Sequence, residues 1–337
     1  MDGMCRFLSK PIEAWSSLLA TVLVIGIHGC GPVEISCPPW PMPEDGQPCE
    51  RVYTGEGNPF DIGLLATRRL EVAQCEQGVP RELLIFAPQE EGFYAVVVFQ
   101  HGFMSRNGYY SQMLEHVASH GFVVVAPQMY RPGLSVLLGR PSAAEEAEVA
   151  ARIIEWFPGN LDTITAVRAC TDRLGISGHS RGGKVAWLVM ARHGQYARAI
   201  AGVDPVDGTG GPFGGQDRVT DAPFPFSVPA LVIGAGRGGR CAPVGDNYAR
   251  FYEASASPAW QVLALEQGHA DMLDDETPGF NLARSLCPGG PDTEGMRRLT
   301  AGLLVALFRA SLQGDQTAYA YLNDADAAPV KVAVTGK

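Results

Sequence analysis

A serine at position 180 stands in Gly178-His179-Ser180-Arg181-Gly182, with the β-rich run Arg173–Ile176 before it and the helical stretch Arg181–Arg192 after it. Between a strand and a helix, this G-x-S-x-G pattern has a mechanical meaning. The serine occupies a sharp, strained turn, and the glycines two residues to either side let backbones approach with no Cβ in the way. The helix that follows aims its first N–H groups at negative charge developing beside the serine. Ser180 is therefore the candidate nucleophile of an acyl transfer.

A serine hydroxyl needs a base, and the chain has seven histidines. His28 falls in an N-terminal targeting segment, and His116 and His120 sit in a helical stretch well ahead of the serine. His193 closes the helix after Ser180, about 18 Å away at 1.5 Å per residue. His179 adjoins the serine and is expected to face elsewhere, while His101 belongs to a different loop. That leaves His269, in Gly268-His269-Ala270-Asp271 just past the last strand of the series. Serine, acid, histidine is the chain order of α/β-hydrolases.

The acid has five candidates between these two: Asp204, Asp207, Asp217, Asp221 and Asp246. The commonest position follows the strand two beyond the serine, here Ala230–Ile233, but that strand runs into Gly234-Ala235-Gly236 without a carboxylate. Asp204 ends Ala199–Val203, one strand beyond, and is the first choice; Asp207 is the second. Two backbone N–H groups are expected to stabilise the tetrahedral oxyanion, one from Arg181 and one from Phe103 in His101-Gly102-Phe103. This chemistry calls for no metal or organic cofactor, and no C-x-x-C pair suggests a zinc site.

The elements that must hold these residues alternate along the chain. Apolar runs at Leu83–Phe86, Ala95–Phe99, Phe122–Ala126, Arg173–Ile176, Ala199–Val203, Ala230–Ile233 and Gln261–Leu265 read as buried strands. Helical patterns fall at Tyr109–His120, Ala143–Phe157, Arg181–Arg192, Asp246–Ala254 and Glu294–Ser311. Alternation of this kind predicts an α/β fold, a mostly parallel central sheet with helices on both faces. One catalytic domain is expected over 61–320, followed by a C-terminal tail, 321–337. The irregular Pro205–Pro229 stretch is the expected wall or lid of the site. The pocket is drawn from Met104, Tyr109, Met129, Tyr130, Phe213, Phe224 and Phe226, an apolar set suited to a greasy ester chain.

Composition narrows the partners. With 26 Lys+Arg against 36 Asp+Glu, the net charge is −10, which argues against nucleic acid. A hydrophobic content of 46% is enough for a sizeable core. Of the 40 glycines, 15 fall between Gly175 and Arg240, around the serine and the acid. Residues 1–30 carry Arg6 and Lys10 and then an apolar run from Trp15 to Ile27, too short for a bilayer span but suited to a signal peptide. It ends at Gly29-Cys30, which resembles a lipoprotein box with Cys30 as the lipidated residue. Export is thus expected, with a Pro-rich tether over 31–60 and membrane contact only through that anchor. The six cysteines after residue 30 suit an oxidising compartment, with Cys241–Cys287 and Cys49–Cys75 as the preferred pairs.

Several segments together resemble the chlorophyllases. They are Val98-Phe99-Gln100-His101-Gly102-Phe103, Arg106-Asn107, Tyr110-Ser111-Gln112, Ser119-His120-Gly121-Phe122 and Val125-Ala126-Pro127-Gln128-Met129-Tyr130. Gly178 to Lys184, Gly202 to Gly208, Cys241-Ala242-Pro243 and Gly268 to Asp275 follow in the same order, over about residues 80 to 315. The resemblance implies a serine ester hydrolase with Ser180, Asp204 and His269 as its triad, acting on the phytyl ester of chlorophyll or another apolar ester. Relatives in the wider fold, such as acetylhydrolases of the platelet-activating-factor type and cutinase-like polyester hydrolases, use the same machinery on other esters. A catalytically idle, surface-tethered binding protein on this fold is the remaining alternative.

Overall fold

The computed structural model describes residues 48–137, 141–194, 196–208, 218–277 and 287–337. Its strands are β1 (Thr67–Val72), β2 (Leu83–Pro88), β3 (Phe93–Gln100), β4 (Phe122–Pro127), β5 (Arg168–His179), β6 (Ala199–Val203), β7 (Ala230–Arg237), β8 (Ala259–Gly268) and β9 (Val332–Gly336). They form one sheet in the order β1-β2-β4-β3-β5-β6-β7-β8-β9. From β4 through β3, β5, β6 and β7 to β8 every pairing is parallel. The pairings β1 with β2, β2 with β4 and β8 with β9 are antiparallel. The α/β expectation holds, with antiparallel strands added at both edges.

The helices are α1 (Ser111–Ser119), the single turn α2 (Leu134–Leu137), α3 (Ala143–Thr165), α4 (Arg181–Arg192), α5 (Tyr248–Ala254) and α6 (Thr293–Phe308). Alternate strand residues point to opposite faces of the sheet. Val96 and Val98 of β3 join Ile200 and Val232 in a core that also takes in Ile153, Phe157 and Trp187 from α3 and α4. Ala95, Val97 and Phe99 join Ala201 and Ile233 in the opposite core, closed by Met113 and Leu114 of α1 and Leu303 and Phe308 of α6. Because both faces are covered, the central strands carry uninterrupted apolar runs.

Helix α3 runs beyond the expected end at Phe157. It starts with a capping box between Ser142 and Glu145 and continues through a kink at Pro158 and Gly159 to Thr165. Proline cannot supply the helical N–H, so the axis breaks there and re-forms. No helix among the described residues is long and apolar enough to cross a membrane.

Three expectations meet a different arrangement. Of the tether assigned to 31–60, the described part lies against the domain: Cys49 is disulfide-bonded to Cys170, and Phe60 is buried among α1 and α6 residues. The tail assigned to 321–337 contains β9, which pairs with β8 from Trp260 to Ala264. The Cys49–Cys75 pairing is replaced by Cys49–Cys170, whereas Cys241–Cys287 forms as expected. Cys75 is disulfide-bonded as well. Cys30, Phe213 and Asp217 lie outside the described residues.

Candidate active site

Ser180 sits between β5 and α4 with φ 54 and ψ −121. That left-handed backbone costs a non-glycine residue on the order of 1–3 kcal/mol and persists only when its surroundings over-determine it. They do so here. Its N–H donates to the Val203 carbonyl at 3.0 Å, and its own carbonyl accepts from the Val206 N–H at 3.2 Å. A Cβ on Gly178 would lie 2.3 Å from the Gly182 carbonyl oxygen, and one on Gly182 would lie 2.2 Å from that of Gln100. Only hydrogen fits at either position, so the turn closes tightly enough to lift the serine above the sheet.

Three side chains from three strand ends meet in one row. The Ser180 hydroxyl lies 3.0 Å from His269 Nε2, and His269 Nδ1 lies 2.6 Å from Asp204 Oδ2. Asp204 follows β6 directly and is fully buried with φ 38; its N–H donates to Ile233 at 2.6 Å. An ionised carboxylate can only accept, so His269 carries its proton on Nδ1 and leaves Nε2 to receive the serine proton. The arrangement can deprotonate a serine and stabilise the imidazolium that results.

Beside Ser180, the loop after β3 is held by His101. His101 Nε2 accepts from the Met129 N–H at 3.1 Å, which puts the ring proton on Nδ1, 2.9 Å from the Gly102 carbonyl it donates to. That carbonyl also accepts from the Tyr130 hydroxyl and the Ser105 N–H, each at 3.2 Å. A trans peptide points its C=O and N–H in opposite directions. Fixing the Gly102 carbonyl therefore fixes the direction of the Phe103 N–H. Among the described residues, the Phe103 amide has no acceptor. Burial holds His101 down to about 4, so the ring stays neutral near pH 7. The Arg181 guanidinium is buried against Glu146 of α3 and lies 5.8 Å and 5.9 Å from the Phe103 and Tyr130 ring centres. Burial pushes the Glu146 carboxyl up to about 7 against the opposing pull of Arg181.

The chlorophyllase family model matches residues 56–336, a stretch that contains every member of this row. The chain belongs to the chlorophyllase family. It is 35% identical over 271 residues to chlorophyllase-2 of Arabidopsis thaliana, covering 73% of this chain and 82% of that protein. It is 33% identical over 291 residues to the chloroplastic chlorophyllase-1 of Citrus unshiu, covering 81% and 86% respectively. Chlorophyllase-1 of Arabidopsis thaliana is 34% identical over 281 residues, covering 76% and 85%. At the level of the family, the chain is a carboxylic ester hydrolase of the α/β-hydrolase superfamily.

The fold brings together Ser180, His269 and Asp204 of the expected chlorophyllase triad, with Phe103 and Arg181 beside them. Asp207 goes elsewhere. Its carboxylate accepts from the Val219 N–H at 2.9 Å and the Thr220 N–H at 3.0 Å, and pairs with Lys184 at 3.2 Å. It ties the chain before residue 209 to the chain after 217. The pocket expectations divide. Met104 and Tyr130 flank the His101–Phe103 loop, and Tyr109 lines a polar cavity of about 370 Å³ with Arg106, Gln128 and Asp274. Phe224 and Phe226 stack on each other at 5.5 Å in the core beside Trp187, and Met129 is also buried there. Phe224 is thus a filler of the fold and Phe226 packs half-buried against it, whereas Met129 also lines a cavity with Tyr130.

His179 does not face away, as its place in the sequence suggests. Its ring centre lies 4.6 Å from that of His269, and its Nε2 is 2.8 Å from the His269 carbonyl oxygen. Tyr110, its other partner at 2.8 Å, comes from 69 residues earlier. Spacing along the chain marks neither role, since their encounter depends on Tyr110 packing on Phe99 of β3 and reaching His179 at the end of β5.

Proposed function

We propose that this protein hydrolyses an apolar carboxylic ester through a serine acyl-enzyme, and that the phytyl ester of chlorophyll is within its substrate class. The row from Ser180 Oγ through His269 to Asp204, in a chain of the chlorophyllase family, carries this reading. Ser180 Oγ attacks the ester carbonyl while His269 Nε2 takes its proton. The N–H groups of Phe103 and Arg181 receive the oxyanion, and the buried Asp204 carboxylate stabilises the imidazolium. The imidazolium returns the proton to the departing alcohol, leaving an acyl group on Ser180. Water then attacks the acyl carbon as His269 takes its proton, the Ser180 Oγ–acyl bond breaks, the imidazolium returns the proton to Oγ, and the acid is released. On chlorophyll the acid is chlorophyllide and the alcohol is phytol.

Purified protein incubated with chlorophyll a, with p-nitrophenyl butyrate alongside, tests both levels. Chlorophyllide release and butyrate cleavage, both abolished in Ser180→Ala, are expected. Butyrate cleavage without chlorophyllide would leave an esterase for another apolar ester. A fluorophosphonate should label the wild type and not Ser180→Ala; absence of labelling and of turnover would mean an idle binding protein.

We further propose that the chain acts outside the cytoplasm, with Cys30 as its lipidated N-terminus. The Cys49–Cys170 and Cys241–Cys287 disulfides support an oxidising compartment. Soluble mature protein beginning at another residue would refute the anchor.

A further inference from the structure

A phenol and an imidazole that take no part in the proposed proton transfers lie between its two halves. Tyr110, at the start of α1, is fully buried, and His179 precedes the serine and is buried as well. The Gly102 N–H donates to the Tyr110 oxygen at 3.1 Å. The Tyr110 oxygen lies 2.8 Å from His179 Nδ1, and His179 Nε2 lies 2.8 Å from the His269 carbonyl oxygen.

The directions in this chain of bonds follow from its ends. A carbonyl oxygen only accepts, so His179 must carry its proton on Nε2. Nδ1 is then an acceptor, and the one hydrogen of the Tyr110 hydroxyl goes to it. The Tyr110 oxygen keeps its lone pairs for the Gly102 N–H. All three donors thus point the same way, from the oxyanion loop to the backbone of the base. Burial, reinforced by the neighbouring His269, keeps the His179 ring well below the ordinary histidine range, and burial pushes Tyr110 up to about 12. Both groups therefore hold these protonation states across the working range of an esterase.

The space around the chain of bonds is full. A Cβ on Gly102 would lie 2.9 Å from His179 Nδ1, 3.2 Å from the Tyr110 oxygen and 3.4 Å from Ser180 Cβ. The Tyr110 ring rests on Phe99 at 4.9 Å. Gly102 has its carbonyl held by His101, Tyr130 and Ser105 and its N–H held by Tyr110, so the next amide, Phe103, is the one left to turn toward substrate.

We propose that Tyr110 and His179 are positioning residues that lock the oxyanion loop and the His269 loop into one register, so that oxyanion donor and base reach the same carbonyl together. The proposal rests on the serine-esterase reading above. Removing the Tyr110 hydroxyl leaves two buried groups, the Gly102 N–H and His179 Nδ1, without partners, which neither loop tolerates without moving.

Tyr110→Phe, His179→Leu and His179→Gln, compared with wild type and Ser180→Ala on p-nitrophenyl butyrate, decide the matter, with thermal unfolding followed in parallel. Glutamine offers an acceptor to Tyr110 and an N–H to the His269 carbonyl; leucine offers neither. Expected are a fall in kcat of about 10- to 100-fold for Tyr110→Phe and His179→Leu with KM within about two-fold, and at least five-fold recovery in His179→Gln relative to His179→Leu. If Ser180→Ala keeps turnover, the esterase reading itself falls. If Ser180→Ala is dead while Tyr110→Phe and His179→Leu keep kcat within two-fold, the lock is wrong and the esterase stands. The lock is also wrong if His179→Gln does no better than His179→Leu. Should Tyr110→Phe fail to fold, the two His179 variants carry the test.

Discussion

Asp204 accepts from two strands' ends at once: the His269 Nδ1–H through Oδ2 at 2.6 Å, and the Ala235 amide of β7 through Oδ1 at 3.0 Å. The usual station for this acid is after the strand where Ala235 stands. Here that strand contributes an N–H in place of a carboxylate, and the acid arrives from β6 next to it. The second oxygen is thereby occupied, which fixes the plane of the carboxylate against the imidazole.

Asp204→Asn should therefore lower kcat by about 10⁴-fold by allowing the wrong histidine tautomer, with little change in fold. Asp207→Asn, three residues on, should behave oppositely. Burial opposes its ionisation, but Thr220, Val219 and Lys184 together hold its carboxyl below the ordinary range, so its loss weakens the fold. Ester kinetics and urea unfolding of both variants separate the roles. A dead Asp207→Asn with an active Asp204→Asn would reverse the assignment.

Gly182→Ala places a methyl 2.2 Å from the Gln100 carbonyl, a backbone atom that cannot swing aside. A destabilisation of about 1–3 kcal/mol is expected, together with loss of ester turnover as the β3 end is pushed from Ser180. Denaturant midpoints and fluorophosphonate labelling rates measure both. Full turnover in this variant would show that the elbow is looser than its geometry.

His101 supplies a pH dependence whose sign is set by burial. Its ring takes a proton at an ordinary value of 6.5 when exposed and at about 4 in the fold. Between these values the unfolded chain binds more protons, so stability rises with pH. The contribution is complete above about pH 6.5 and is lost as pH falls toward 4, amounting to about 3 kcal/mol. His101→Gln does not titrate, and its unfolding free energy should change less than the wild type's between pH 7 and pH 4. Parallel pH profiles for the two proteins would exclude this contribution.

The Cys49–Cys170 bridge spans 121 residues of sequence and joins the first described segment to β5. Loops of this length lose about 2–5 kcal/mol when the bridge is removed, chiefly through the entropy of the unfolded chain. Cys49→Ala/Cys170→Ala should melt at a lower temperature and retain kcat at 25 °C, because the bridge touches no member of the row. Scanning calorimetry with ester kinetics reads both, and a fall in kcat at unchanged melting temperature would contradict it.

What the sequence determined by itself is local. A strand that must be apolar on both faces, a G-x-S-x-G turn and an amphipathic helix occupy consecutive residues, so Ser180 and its elbow were legible without any long-range information. His269 followed from its place after the last parallel strand, and the family followed from ordered segments along most of the chain. The tertiary structure decided whatever depends on partners distant in sequence. Asp204 and Asp207 leave the same strand end three residues apart, and only the sheet order, with β7 beside β6, shows which one meets the imidazole. Cys170 and Cys75 are equally plain as cysteines, yet only Cys170 comes to Cys49. The edge strand β9 is short and only Val332 and Val334 pack, half-buried, against the core, so its pairing with β8 leaves little trace in its hydrophobic pattern. Tyr110 and His179 fall in family-like segments, but nothing in those segments says that they meet; that depends on Tyr110 packing on Phe99 of β3 and reaching the end of β5. Periodicity records which face of an element is dry, and it does not record which polar atoms from elsewhere will meet there.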